Sequence, residues 1–327
     1  MARPRPLVAI VTPYLAAANN GNWQTAARYA RFLRGRYRVQ VGTNWQGTPD
    51  LLIALHARRS AAAVASFAAA FPDRPLIVVL TGTDLYRDID SDAGAQRSLQ
   101  LATRLVVLND DGIARLPRAV QGKAQTIVQS ARPLAPAPKR RGFNVAVVGH
   151  LRDEKNPQLL WRVLDRWPAD VPLHVWHAGR PLDEALGREA ARRADSDPRY
   201  TWLGDQPRSR LRQRVRGCQL LLHPSRMEGG ALAVIEAVAA HTPVIGSRID
   251  GNTGLLGADY PGLFAPDDAD AARDLLLRAA REPRFLAQLA RRCERAARRF
   301  TPEREGRDVH RLVDNCLAAA LSRRNRR

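Results

Sequence analysis

Two glutamates with seven residues between them stand in the stretch best suited to chemistry, His223–Ser247, HPSRMEGGALAVIEAVAAHTPVIGS. An apolar run ends at His223, Pro224 and Ser225 turn the chain, and Glu228 stands just before Gly229-Gly230. The pattern predicts a helix from near Ala231, carrying Glu236 and ending before Thr242-Pro243 and a second strand. Gly229, Gly230, Ala231 and Leu232 at such a start would offer backbone N–H groups and the positive helix end to a phosphate. Eight residues apart, Glu228 and Glu236 would lie about 80° apart round a helix of 3.6 residues per turn. That spacing suits one carboxylate on a sugar ring and another on ribose hydroxyls.

Other chemistry-bearing segments also sit just after apolar runs. Val148–Asn156, VGHLRDEKN, groups His150, Arg152 and Lys155. Ala17–Thr25, AANNGNWQT, places Asn19, Asn20, Gly21 and Asn22 after the first run, and His56–Ser60, HARRS, follows the third. Thr81–Asp88, TGTDLYRD, follows the fourth. There is no G-x-G-x-x-G fingerprint, GxxxxGK[ST] loop or G-x-S-x-G elbow. Asp88-Ile89-Asp90 and Asp195-Ser196-Asp197 are the two Asp-x-Asp tripeptides considered as metal ligands, and neither clearly ends a strand. No metal and no cofactor are expected.

The elements that must position these residues alternate along 327 residues. Strands are predicted at Leu7–Val11, Tyr37–Val41, Leu51–Leu55, Leu76–Leu80, Leu105–Leu108 and Thr126–Val128, with helices between. Continuous apolar runs of this kind mark parallel strands buried on both faces. Ala131–Gly142, ARPLAPAPKRRG, reads as a linker. The alternation restarts at Val145–Val148, with a helix at Pro157–Trp167, strands at Leu173–Trp176, Tyr200–Leu203, Leu220–Leu222 and Val244–Ile245, and three arginine-rich helices from Ala269. The reading is an α/β chain of two Rossmann-like doubly wound domains facing a cleft. Residues 1–133 form the first domain, 134–142 the linker and 143–327 the second, whose last helix packs back toward the first.

Lys+Arg is 52 against Asp+Glu 32, a net charge of +20, and all but Lys123, Lys139 and Lys155 of the bases are arginine. Such a balance raises nucleic acid or an anionic membrane as partner. Aromatics, however, are only 6%, no recognition module appears, and the arginine and alanine bias fits a GC-rich genome. Three scattered cysteines exclude a disulfide scaffold and a cysteine zinc site. With no secretory signal in MARPRPLVAIVTP and no membrane-length apolar run, the expectation is a cytoplasmic protein without a membrane span or nucleic-acid partner.

The Pro-Ser-x-x-Glu-Gly stretch, its second glutamate and the following Pro-Val-Ile resemble the donor-site signature of family 4 glycosyltransferases of the GT-B fold. Val148–Asn156 is similar to that family's Val-Gly-Arg-Leu…Lys segment, with Lys155 at the lysine position and His150 in place of arginine, for which Arg152 substitutes. Ile249–Phe264, IDGNTGLLGADYPGLF, resembles the loop and short strand that close over the donor, with Asp250-Gly251 as the turn and positive φ at Gly254 and Gly257. The uracil would lie near Gly179-Arg180 and Gly204–Gln206. NNGNWQTA, LIALHARRSA, LTGTDLYRDI and GLLGADYPG narrow the resemblance to the selenosugar synthases of selenoneine biosynthesis, over nearly the whole chain.

That resemblance implies a metal-independent transfer from UDP-N-acetylglucosamine or UDP-glucose to selenophosphate. The implied donor contacts are His150, Arg152, Lys155, Glu228, Gly229, Gly230, Ala231, Leu232 and Glu236. The implied acceptor contacts are Asn19, Asn20, Gly21, Asn22, His56, Arg58, Thr81 and Asp84, with Glu228, His56 and Lys155 catalytic. Thr81 stands where many relatives carry a histidine. The alternatives are a family 4 O-glycosyltransferase acting on a lipid or polysaccharide, and a basic non-catalytic nucleic-acid-binding protein.

Overall fold

The computed structural model describes residues 4–16 and 21–324. Asn19 and Asn20 therefore lie outside the described residues. The chain divides into two compact units, one running up to Gln129 and again from Pro302, the other spanning Ser130–Thr301.

The first unit holds β1 (Leu7–Val11), β2 (Arg38–Gly42), β3 (Leu51–Leu55), β4 (Leu76–Val79), β5 (Arg104–Val107) and β6 (Ala124–Thr126). They form one parallel sheet in the order β2-β1-β3-β4-β5-β6. Successive side chains of a strand point to opposite faces, and here both sets are apolar. Ala9, Val11, Leu52, Ala54 and Val78 pack with Val64 and Phe67 on one face. Val8, Ile10, Leu51, Ile53 and Val79 pack with Tyr29 and Leu33 on the other. The second face also receives Val309, Leu312 and Val313 of the helix Pro302–Arg324. Arg28 and Glu305 pin that helix through a buried ion pair at 3.1 Å, and Gly306 lies where a Cβ would stand 3.3 Å from the Phe32 ring.

The second unit holds β7 (Asn144–Val148), β8 (His174–Ala178), β9 (Tyr200–Trp202), β10 (Leu220–His223), β11 (Val244–Ser247) and β12 (Leu263–Phe264). All are parallel, in the order β12-β11-β10-β7-β8-β9. The chain moves outward from β7 to β9, then returns to the far side of β7 for β10. Loops leaving β7 and β10 thus part to opposite faces of the sheet, and such a switch point opens a crevice beyond the strands' carboxyl ends. In the first unit the same reversal falls between β1 and β3.

Two sequence expectations change. Ala131–Gly142 packs along the second unit, because Leu134 N–H donates to Ala239 O and Arg140 N–H to Gly217 O, both at 2.8 Å. Asp250-Gly251 is not a turn: it opens the helix Asp250–Leu256, which Gly257 ends at φ 97°, and the positive φ expected at Gly254 is absent. An acidic residue in the first turn and a left-handed glycine after the last are ordinary helix ends. Among the described residues no helix is long and apolar enough to cross a membrane.

His177 on β8 is buried, 2% exposed, with Nδ1 2.8 Å from the Tyr200 hydroxyl. Burial pushes its pKa down to about 4. The unfolded chain therefore takes up a proton first, and stability falls as pH drops from about 6.5 toward 4, by on the order of 3 kcal/mol. Urea unfolding of wild type and His177→Phe between pH 4 and 7 should show a flatter acid limb in the variant.

Candidate functional site

The loops beyond β7 and β10 carry the ionisable residues singled out in the second unit. After β7, Gly149 leaves room for the Lys155 stem, which would lie 3.3 Å from a Cβ placed there. Lys155 ends the short 3₁₀ turn Asp153–Lys155, and Asn156 follows in the left-handed conformation, φ 50°. Asn156 is fully buried and donates through Nδ2 to Asp267 Oδ1 at 2.9 Å, so the direction of the turn is set by the far end of the unit.

After β10, Glu228 receives the Lys155 ammonium on Oε1. Ser225 Oγ donates to that same oxygen at 2.8 Å, and His223 Nε2 lies 3.3 Å from it. Burial by itself would raise the Glu228 pKa, but the charge of Lys155 and the contact with His223 outweigh it and hold the carboxyl well below its usual range. Glu228 Oε2 accepts no hydrogen bond from the described residues. The carboxylate is thus clamped through one oxygen and open at the other.

His150 accepts the Arg180 N–H on Nδ1 at 3.1 Å. Burial, then the neighbouring Lys155 and Arg180 charges, lower its pKa, so it stands as a neutral imidazole with Nε2 as the protonated nitrogen. Arg152 is half-exposed and 3.7 Å from Glu154. Gly179 approaches Gly149 so closely that a Cβ would fall 1.8 Å from the Gly149 carbonyl oxygen. Gly179 N–H donates to Gly204 O at 2.8 Å, Gly204 has φ 61°, and Gln206 Nε2 donates to Leu203 O. The segments after β7, β8 and β9 therefore lie side by side.

The helix after Gly229-Gly230 is Leu232–Val238, and its left-handed cap is Ala231, φ 34°. Glu228 precedes it, so the 80° helical spacing from Glu236 does not apply. Glu236 is 9% exposed. It pairs with Arg208 at the start of the helix Arg208–Arg216, a partner 28 residues away that periodicity does not indicate. The sequence pattern likewise marks His223 as a strand end and Ser225 as a turn, not as site residues.

In the first unit Gly21 and Asn22 open the helix Gly21–Leu33, where Thr25 Oγ1 donates to Gly21 O at 2.8 Å. His56 follows β3 at φ 72° and is 3% exposed. Its Nε2 lies 3.0 Å from Thr83 Oγ1, and its Nδ1 accepts the Arg59 N–H at 3.3 Å. Asp84 is fully buried and accepts the N–H groups of Ala57, Thr81 and Gly82 at 2.8–2.9 Å. It braces the two loops, with no surface left for a ligand. Thr81 contributes its backbone to that brace, so the hydroxyl on His56 is that of Thr83. Arg58 pairs with Asp88 at 3.2 Å and Asp92 at 3.4 Å, whereas the Arg59 guanidinium stacks on Tyr14 at 5.1 Å. A left-handed, non-glycine residue held this way stores backbone strain, a feature concentrated at functional sites.

Among the described residues no group of three or more His, Cys, Asp or Glu side chains could hold a metal ion. Asp88 and Asp197, one from each of the two Asp-x-Asp tripeptides named above, are taken up by Arg58 and Arg199.

Gly251 gauges the Glu228 turn: a Cβ there would stand 2.4 Å from the Glu228 carbonyl oxygen and 2.6 Å from its Cβ. Gly251→Ala should cost about 1–3 kcal/mol in urea unfolding. Gly122→Ala, where nothing lies within 4 Å, should stay within about 0.5 kcal/mol. Equal effects would show that the turn yields freely.

Residues 136–300 match the family model described as glycosyl transferases group 1. A D-inositol 3-phosphate glycosyltransferase of Mycobacteroides abscessus is 37% identical over 142 residues, 41% of this chain and 32% of the relative. One from Saccharomonospora viridis is 27% identical over 64% of this chain and 54% of the relative. Matches to these curated relatives thus span a third to about half of their length. Among solved structures, Anabaena Alr3699/HepE in complex with UDP and glucose aligns over 95% of this chain and 100% of its own, with TM-score 0.77 and 15% identity. Sucrose-phosphate synthase of Thermosynechococcus elongatus aligns over 96% of this chain and 100% of its own, at TM-score 0.79 and 16% identity.

Proposed function

The chain belongs to the glycosyl transferases group 1 family, and we propose that within it the chain acts as a selenosugar synthase, transferring the sugar of UDP-N-acetylglucosamine or UDP-glucose to selenophosphate. The donor half of the reading is carried by Glu228, ionised, clamped on Oε1 and open on Oε2 at the switch point between β7 and β10. An acceptor oxygen so placed suits a sugar hydroxyl. Lys155, Arg152 and the N–H groups from Gly229 to Leu232 serve the diphosphate, His150 adds a neutral N–H donor, and Glu236, oriented by Arg208, serves the ribose.

In the transfer, selenium attacks the anomeric carbon, the bond from that carbon to the diphosphate oxygen breaks, and UDP leaves with the electron pair. Basic groups and backbone dipoles stabilise the charge that develops on the diphosphate. Hydrolysis of the phosphoryl group by water then frees the selenol. Selenophosphate is already an anionic nucleophile, so a strong general base is dispensable, which accords with threonine rather than histidine at position 81. Within the first unit, the groups suited to an anion are His56 with Thr83, and Arg59, whose guanidinium has no carboxylate partner among the described residues. The selenium half of the reading is supported by NNGNWQTA, LIALHARRSA and LTGTDLYRDI.

The relatives named above favour a second acceptor, a phosphorylated polyol such as D-inositol 3-phosphate. The two readings share a donor site and an anionic acceptor, and differ in the nucleophilic atom. UDP release should be measured with UDP-N-acetylglucosamine or UDP-glucose and either selenophosphate or inositol 3-phosphate, with mass detection of the product. Release that depends on selenophosphate, with a selenium-containing product, is expected; release with inositol 3-phosphate alone favours the second reading. Lys155→Ala and Glu228→Gln should each lower kcat/KM about 10²-fold or more, and EDTA should leave the rate unchanged.

A further inference from the structure

The three donors on Glu228 Oε1 are not equivalent. Lys155 brings the charge, but its ammonium is also the group that a diphosphate in the same crevice would attract most strongly. A nucleotide donor therefore competes with Glu228 for Lys155 at the moment when the carboxylate must be in place. Ser225 and His223 have no such competing claim. Ser225 sits in the turn after β10, and its carbonyl accepts the Ser247 hydroxyl at the end of β11. His223 is the last residue of β10, in register with Gly246 of β11, and is 1% exposed. The sheet itself therefore fixes the ring.

The ring has one working nitrogen. Nε2 faces the Glu228 carboxylate at 3.3 Å and Ser225 Oγ at 3.4 Å. Nδ1 is buried with no hydrogen-bond partner. A buried polar atom left without a partner costs free energy, so the proton the ring has to offer is the one on Nε2. In that form it donates to Oε1. The oxygen has two lone-pair directions, and three donors already crowd it. A ligand hydroxyl is left with Oε2.

Resting on the UDP-sugar reading, we infer that His223 is a positioning residue for donor-sugar recognition, holding Glu228 by Oε1 so that Oε2 still faces the sugar when the diphosphate draws on Lys155. It touches neither sugar nor diphosphate and acts through Glu228. The consequence is selective. Loss of His223 weakens the sugar's contribution to binding and spares that of the nucleotide, whereas loss of a packing residue weakens both alike.

Calorimetric titration of the full chain with UDP and with UDP-N-acetylglucosamine or UDP-glucose separates the two roles. His223→Leu should bind UDP within about twofold of wild type but the UDP-sugar about 10-fold more weakly, the scale of one hydrogen bond to a charged group. His223→Gln, whose side-chain amide can donate in place of Nε2–H, should recover most of that loss, and Glu228→Gln should reproduce it. The inference is overturned if His223→Leu binds the UDP-sugar as wild type does while Glu228→Gln does not. It is overturned equally if both His223 variants lose UDP and UDP-sugar affinity to the same extent. Wild-type protein that binds neither ligand would overturn the donor reading first, and this inference with it.

Discussion

A carboxylate in a turn packed beyond a parallel strand stays ionised only if something nearby replaces the water it has lost. For Glu228 that replacement is Lys155, with Ser225 and His223 on the same oxygen, and much of the second unit serves to bring them there. Hydrogen bonding between β7 and β10 sets the lysine turn beside the glutamate turn. Asn156 anchors the first turn through Asp267, and Arg226 ties Asp153 to that same aspartate. Ser247 holds the second turn from β11, and Gly251 lets the next helix lie directly against it. Removing any one of these does not delete a contact with a ligand; it changes where the carboxylate points.

The first unit solves the same problem without a lysine or arginine. Asp84 is fully buried, with the His56 ring 4.0 Å away and no lysine or arginine paired to it among the described residues. Three backbone N–H groups neutralise it instead, and in doing so join the loops after β3 and β4. That join holds His56 in a left-handed conformation against Thr83. The second unit thus places its polar machinery where neighbouring strands send their loops apart, whereas the Asp84 brace of the first unit joins the loops after β3 and β4, next to its reversal between β1 and β3.

The excess of arginine has a more ordinary explanation than its size suggests. Many guanidiniums pair with carboxylates: Arg193 with Asp165, Arg226 with Asp267, Arg292 with Asp259 and Arg166 with Asp270. Others lie over aromatic rings, as Arg214 does over Trp176. Exposed pairs of this kind contribute little each. In the second unit Arg208 orients Glu236 and the Arg180 N–H fixes the His150 ring, and in the first Arg59 lies beside His56.

The alternating apolar runs, the glutamate stretch and the lysine turn were legible without a structure, because each depends on residues close together in the chain. Hydrophobic runs four to five residues long that alternate with helical segments mark strands of a parallel sheet covered on both faces, and the helix after Gly229-Gly230 follows from local turn chemistry. Pairing across the fold was not legible. Nothing in HPSRMEGG says that His223 turns its ring toward Glu228, and nothing in RSRLRQRVR singles out Arg208 for Glu236. Neither Thr83 over Thr81, nor the helix beginning at Asp250, can be read from the spacing of residues. Those choices belong to sheet register and to how closely two backbones approach, quantities that exist only once distant strands are hydrogen-bonded side by side.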